Sequence, residues 1–189
     1  MVAVVLNLEK VELTDEQFYN LCQVNPNWNL ERTTQGKLVI MPPVGGESGQ
    51  REAELITDLN IWNRQTKLGV VFSSSTIFSL PNGGDRSPDA AWVEKSRWNS
   101  LNEKQQQGFP PICPDFVIEL RSQSDALKPL QSKVQEYLAS GLKLGWLIDP
   151  QNNRVEIYRQ NQNTEIIQLP AQLSGESTLP GFTLDIQQF

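Results

Sequence analysis

Two carboxylates sit where an apolar strand would be expected to run without them. In "RSPDAAWVEK" (residues 86–95) Asp89 stands at the mouth of a short apolar run, and in "PDFVIELRSQS" (114–124) Glu119 interrupts the next one. Residues two apart on a strand share a face. Asp89, Ala91 and Val93 therefore point one way and Ala90 and Trp92 the other, while Val117, Glu119 and Arg121 oppose Phe116, Ile118 and Leu120. If the two strands are neighbours, Asp89 and Glu119 come within roughly 5 Å of each other. Two carboxylates that close repel and raise each other's pKa unless a cation sits between them. A divalent cation such as Mg²⁺ suits oxygen ligands and keeps positions open for water and a phosphate. Each acid also has a structural reading: Asp after Pro is common at turns and strand starts, and Glu119 could be neutralised by Arg121 as an ion pair.

Composition narrows the chemistry further. The 189-residue chain contains no His and two Cys. That removes Ser-His-Asp and Cys-His catalysis, HExxH proteases and His- or Cys-based zinc sites. What remains is carboxylates, amines, hydroxyls and a hard cation held by oxygen. Cys22 and Cys113 are far apart and read as small apolar residues. The net charge of −6 disfavours a general nucleic-acid coat protein but permits an enzyme with a local basic patch. Neither "PNGGDRSP", read as a turn, nor "PPVGGESGQ" forms a phosphate-binding glycine loop. No apolar run reaches the roughly 18 residues of a membrane span, and "MVAVVLNLEKVEL" lacks the marks of a leader, so a cytoplasmic protein without membrane contact is expected.

The elements that must position the acids can be read from periodicity. "TDEQFYNLCQV" starts with a capping-type Thr14 and predicts a first helix. "NLERTTQGKLVIMPP" reads as a hairpin turning at Gly36. Ala53, Ile56, Leu59 and Trp62 step at three in a helix over about 47–64. "GVVFSS", "TIFSLP" and "DAAWVE" follow as strands, and "KSRWNSLNEKQQQGFPPICP" as a surface loop with a short helix. After the strand "DFVIEL", a helix carries Leu127, Leu130, Val134, Tyr137 and Leu138, with Pro129 in its first turn and Gly141 at its end. Tyr137 reads as a packing aromatic. "KLGWLID", "RVEIYR" and "TEIIQLP" complete the strands. The order implies one domain over 1–189, α/β or α+β, with a mixed central sheet flanked by helices.

In this order and spacing, "LERTTQGKLVIMPP", "GGESGQREAEL", "RSPDAAWVEKSRW", "PPICPDFVIELRSQSD", "LQSKVQEYLASGLKLGWLIDP" and "RVEIYR" resemble the Uma-two family of proposed restriction endonucleases, long treated as a domain of unknown function and abundant in cyanobacteria. The resemblance runs from about Leu13 to Arg159. It implies a restriction-endonuclease-like PD-(D/E)xK core over about 13–160, with an extra N-terminal hairpin and C-terminal strands, holding Mg²⁺ or Mn²⁺. By the same resemblance Asp89 is the acid of the PD element and Glu119 the second acid. The family's Lys falls on Lys133, and Glu31 matches an acidic position that completes the metal site. Arg121 stands where the plain ExK pattern has Lys; a guanidinium can hold a phosphate but cannot serve as a base. Many family members carry a His near the start of the second helix, where this chain has "GESGQR".

Three function classes follow. The acid pair and the resemblance point to a Mg²⁺-dependent nuclease acting on nucleic acid, DNA foremost. The missing ExK lysine and the acidic balance point to a catalytically degenerate fold serving as a binding or assembly module. Paired carboxylates without His also suit a glycosidase. A basic strip of Arg86, Arg121, Lys128 and Lys133 would favour the nuclease. A homodimer is expected from the PD-(D/E)xK group, with "TEIIQLP" as a candidate edge.

Overall fold

The computed structural model describes residues 3–8 and 10–187. Residues 1, 2, 9, 188 and 189 lie outside the described residues, and with them part of the N-terminal segment read as lacking a leader and both ends of the 1–189 domain span.

Local sequence signals set most of the boundaries. A short strand β1 (Val4–Leu6) precedes helix α1 (Asp15–Val24). Thr14 accepts from the Gln17 N–H while the Gln17 side chain accepts from the Thr14 N–H, closing a capping box. β2 (Asn29–Arg32) and β3 (Leu38–Met41) form the expected hairpin, whose turn uses Gly36 at φ +74°. Helix α2 (Gly46–Thr66) then leads to β4 (Gly69–Ser73), β5 (Phe78–Ser79), β6 (Asp85–Arg86) and β7 (Ala90–Glu94). Gly69 is required where it stands, because a Cβ there would come within 2.3 Å of both the Trp92 ring and the Val93 carbonyl. Two short helices, α3 (Lys95–Asn99) and α4 (Glu103–Gln107), fill the polar stretch before β8 (Phe116–Leu120). Helix α5 (Leu127–Ala139) crosses to β9 (Leu144–Asp149), and β10 (Arg154–Arg159), β11 (Glu165–Gln168), β12 (Ala171–Ser174) and β13 (Thr183–Ile186) close the chain.

The strands form three sheets. The central one has the order β11-β10-β9-β8-β7-β4 and is mixed: β8 and β9 run parallel, bridged by α5, and the other pairs are antiparallel. The smaller sheets are β1-β3-β2-β6-β5 and the β12-β13 hairpin. One face of the central sheet, with Trp92, Phe116, Ile118 and Trp146, packs on Leu55, Leu59 and Trp62 of α2 and on Leu173, Phe182 and Leu184 of the C-terminal segment. The other face, with Ala91, Val93, Val117 and Leu147, packs on Val134 and Tyr137 of α5 and on Phe78 of β5. Phe18 of α1 packs separately on Leu30 and Leu38.

The fold class and the strand and helix order match the expectation, with four local differences. The turn read in "PNGGDRSP" contains β6, which pairs with β2 and β5 instead of joining the central sheet. "TIFSLP" is a strand only over two residues and also lies in the smaller sheet. The α2 stripe is Leu55, Leu59 and Trp62, with Ile56 half-buried and Ala53 exposed, because steps of four and three track the 3.6-residue repeat better than steps of three alone. Cys113 is buried as expected, but Cys22 is only half-buried.

The largest fully buried side chain among the described residues is Trp146, edge-on to Phe116 at a centroid distance of 4.8 Å and stacked on Phe182 at 5.9 Å. Trp146→Ala is expected to cost about 3–5 kcal/mol through lost burial and an unfilled cavity, read as a lower urea midpoint. Ile166→Ala, on the exposed edge strand β11, should change stability by no more than about 0.5 kcal/mol.

Candidate active site

The register between β7 and β8 pairs Ala90 with Ile118 and Ala91 with Val117. Continued by one residue, it sets Asp89 opposite Glu119, on the face that carries Ala91, Val93 and Val117. The acid pair inferred from alternation is therefore formed across two adjacent strands. Asp89 is fixed at the strand mouth by the Leu120 N–H, which donates to its Oδ2 at 2.6 Å.

Glu119 is 1% exposed and turned towards α5. Lys133, also buried, places its Nζ 2.9 Å from Glu119 Oε1 and 3.0 Å from Oε2. The same ammonium lies 2.8 Å from Glu31 Oε1 and donates to the Ser87 carbonyl at 2.8 Å. One turn further along α5, the Tyr137 hydroxyl donates to Glu119 Oε1 at 3.1 Å. The spacing explains the convergence, since residues four apart on a helix share a face. Tyr137 thus packs in the core as expected and also holds the acid.

Glu31 completes the cluster from β2, but as a holder of cations. Its Oε1 accepts the Ser87 N–H at 3.0 Å and its Oε2 faces Arg86 Nη1 at 2.8 Å. Glu31, expected to complete the metal site, is brought into the cluster, with its oxygens engaged by Lys133, Arg86 and Ser87, as those of Glu119 are by Lys133 and Tyr137. Arg86 in turn pairs with Glu136 of α5 through Nε and Nη2, each at 2.8 Å. Arg86 and Ser87 of "RSPD" therefore hold members of the cluster, and Asp89 is itself one of its acids.

Arg121 lies outside this group. Just past the end of β8, it donates to the Asp125 carbonyl and to Asp149 Oδ1, both at 3.0 Å, and is not brought together with Asp89, Glu119 and Lys133. The basic surface strip that would favour the nuclease is not formed by these residues. Arg86, Arg121 and Lys133 are each turned inward onto carboxylates, and among its four residues Lys128 alone is exposed.

The site opens into a cleft of about 780 Å³ whose lining includes Glu31, Ser87, Asp89, Glu119 and Lys133 together with Glu52 of α2. Glu52, which sequence reasoning passed over, is oriented by a hydrogen bond from the Ser74 hydroxyl. Glu136 and Glu52 were missed, and Arg86 was read only as part of a basic strip, for one reason: each joins the site through tertiary pairing. The i, i+3 and i, i+4 spacing of Lys133, Glu136 and Tyr137 was the one available signal.

Charge governs the behaviour of the cluster. Four carboxylates, Glu31, Asp89, Glu119 and Glu136, share two cations, Arg86 and Lys133. Burial pushes Asp89 up to about 6, opposed by Lys133 and the Leu120 N–H and reinforced by the charges of Glu52 and Glu31. Burial likewise pushes Glu119 up to about 8 against the pull of Lys133, and Asp89 and Glu31 push the same way. Glu31 is raised by burial, but Lys133 and Arg86 together bring it below the usual carboxylate range. Lys133 loses stability as an ammonium by burial, yet Glu119, Glu31 and Asp89 raise it above its ordinary value and keep it charged. At neutral pH the cluster holds a proton that free carboxylates would not.

Among the described residues no three Asp, Glu, Cys or His side chains are grouped so as to hold a metal by themselves. Two carboxylates completed by water and phosphate oxygens are nevertheless an ordinary Mg²⁺ donor set. Asp89 Oδ1 accepts no hydrogen bond among the described residues, and the excess of carboxylate over cation suits a hard divalent ion. Asp89 and Glu119 fit that group.

A carboxyl with a raised folded pKa stabilises the fold below its unfolded value and loses that contribution as pH rises through the folded value. Without metal, the protein should therefore lose stability between pH 6 and 8, at most about 1.4 kcal/mol per pH unit from Glu119. Glu119→Gln should gain on the parent protein across that interval and level off above it, read by melting temperatures at each pH. A constant difference would show that Glu119 does not titrate there.

The Uma2 family, described as "Putative restriction endonuclease", matches residues 15–187. Among solved structures, the chain is similar to a protein from Anabaena variabilis ATCC 29413 described as "a putative nuclease belonging to DUF820". The TM-score is 0.79 at 23% identity, covering 92% of this chain and 95% of that one, a likeness that establishes the fold. No curated protein matches the chain. The family match takes in every acid and base of the cluster from Glu31 to Tyr137, and the chain belongs to the Uma2 family.

Proposed function

We propose that the protein is a Mg²⁺-dependent endonuclease that hydrolyses DNA phosphodiester bonds in the cleft above Asp89 and Glu119. The observation that carries this reading is the buried acid pair on adjacent strands, with more carboxylates than cations around it and an opening to solvent. Family membership and the shared fold support it.

Asp89 and Glu119 would hold the ion. Bound there, Mg²⁺ or Mn²⁺ supplies Lewis-acid polarisation of a phosphate and a lowered pKa for coordinated water. Lys133 is kept as an ammonium by three carboxylates, so its part is to offset charge developing on the phosphate and not to remove a proton. Tyr137 and Lys133 together fix the Glu119 carboxylate, and the Leu120 N–H fixes Asp89. Glu31 and the Ser87 carbonyl fix the position of Lys133. Gly45 caps α2 at the cleft without a side-chain hydrogen bond, and the helix N–H groups that follow it suit a phosphate oxygen.

The inward use of Arg86, Arg121 and Lys133 favours a second reading, a catalytically inactive member of the same fold that binds a partner through the cleft. Plasmid and single-strand cleavage, measured with Mg²⁺, Mn²⁺ or chelator, separates the two. The nuclease reading expects cleavage that chelator abolishes and Asp89→Asn lowers at least about a hundredfold, a loss typical of removing one preorganised catalytic group. Mn²⁺ binding by calorimetry without cleavage supports the second reading. Binding at pH 7 should release a proton, visible as a heat that depends on the buffer, because the ion displaces the proton held by the acid pair. Full Mn²⁺ affinity in both Asp89→Asn and Glu119→Gln would remove the metal assignment.

A further inference from the structure

The cleft offers a substrate much more than the acid pair. Trp28, immediately before β2, is 55% exposed and lines it. The β2–β3 register pairs Asn29 with Met41 and, continued by one residue, sets Trp28 opposite Pro42. Pro42, Pro43 and the exposed Val44 extend this apolar wall to the start of α2. A large ring left in water beside an otherwise acidic site lacks a packing explanation: Trp62, Trp92 and Trp146 are all buried in the core.

The charge on the remaining wall restricts what can lie beside that ring. Glu31, Glu47, Glu52, Asp89, Glu119 and Asp125 line the cleft, and Lys133 is the one basic side chain lining it among the described residues. Its charge is already shared by Glu119 and Glu31. A duplex, which presents two phosphate strands and needs many cations to hold them, meets repulsion here. The cleft volume of about 780 Å³ is that of a small-ligand pocket, room for a nucleotide rather than for both strands of a helix at once. An unpaired nucleotide escapes both constraints, since aromatic side chains bind single strands by stacking on bases with little demand for charge.

We infer that Trp28 is a base-stacking platform and that the cleft takes single-stranded DNA or an unpaired nucleotide in preference to a duplex. The inference rests on the nuclease reading for the identity of its ligand, and adds the strandedness of the substrate and a specificity residue outside the acid cluster. Glu52 and Glu47, on the α2 side of the cleft, act with it by discouraging a second phosphate backbone.

The test reads binding without turnover, with Ca²⁺ in place of Mg²⁺. The probes are a short fluorescein-labelled oligothymidylate and a blunt duplex of equal length, followed by anisotropy. The single strand should bind at least about tenfold more tightly than the duplex, and Trp28→Ala should weaken it by about tenfold, within the range found for loss of a stacked base. Trp28→Phe should keep most of the affinity while losing the quench of tryptophan emission on binding, which a merely structural role would not produce. Trp28 is exposed, so both variants should melt with the parent protein. Equal or tighter duplex binding, absence of single-strand binding, or indifference to Trp28→Ala would overturn the inference. Because affinity is read separately from cleavage, Trp28-dependent binding without any Mg²⁺-dependent cleavage would sustain the platform and remove the nuclease. Duplex cleavage unaffected by Trp28→Ala would do the reverse.

Discussion

The Lys133 ammonium is the interaction on which the site depends. A buried charge is tolerated only where hydrogen bonds and opposite charges surround it, and Lys133 has Glu119, Glu31 and the Ser87 carbonyl around one nitrogen. Each of these comes from a different part of the chain: β8, β2 and the segment between β6 and β7. The ammonium therefore ties the small sheet, the central sheet and α5 to one point. Removing it would leave several carboxylates buried together, a far larger disturbance than the loss of one contact. Lys133 is thus a structural junction, and the chemical role proposed for it is constrained by the structural one. It stays protonated.

The acids around it divide by environment. Glu31 has two cations and a backbone N–H and is held ionised, whereas Glu119 and Asp89 are under-compensated and pushed towards the neutral form. Like residues thereby acquire unlike tasks: one anchors the bases, and two are left short of positive charge at the mouth of the cleft. That shortage is what a divalent cation would relieve.

Much of this was legible in the sequence because it followed from local periodicity. Alternation alone placed Asp89 with Ala91 and Val93, and Glu119 with Val117, and the register confirms the faces. The capping Thr14, the Gly36 turn and the α5 stripe were likewise visible. What escaped was set by pairing between distant segments. Strand β6 is two residues long and has no periodicity to read, yet it carries Arg86, which bridges Glu31 and Glu136. Arg121 shares a face with Glu119 by alternation, but the strand ends at Leu120, and beyond that point alternation no longer decides where a side chain goes. Charge counts showed an acidic chain, but could not show that its basic residues were spent inside.

The order in which the site's parts appear along the chain has a consequence for synthesis. Glu31 and its partner Lys133 are separated by more than half the chain, and Arg86 waits for Glu136 on the same late helix. During translation Glu31 emerges long before either of the bases that neutralise it. Until α5 has left the ribosome and docked, β2 and β8 carry uncompensated carboxylates that water must solvate, and the two sheets lack their common tie. The nascent polypeptide thus passes most of its elongation without a formed acid–base cluster, and a product cut short before Lys133 never acquires one.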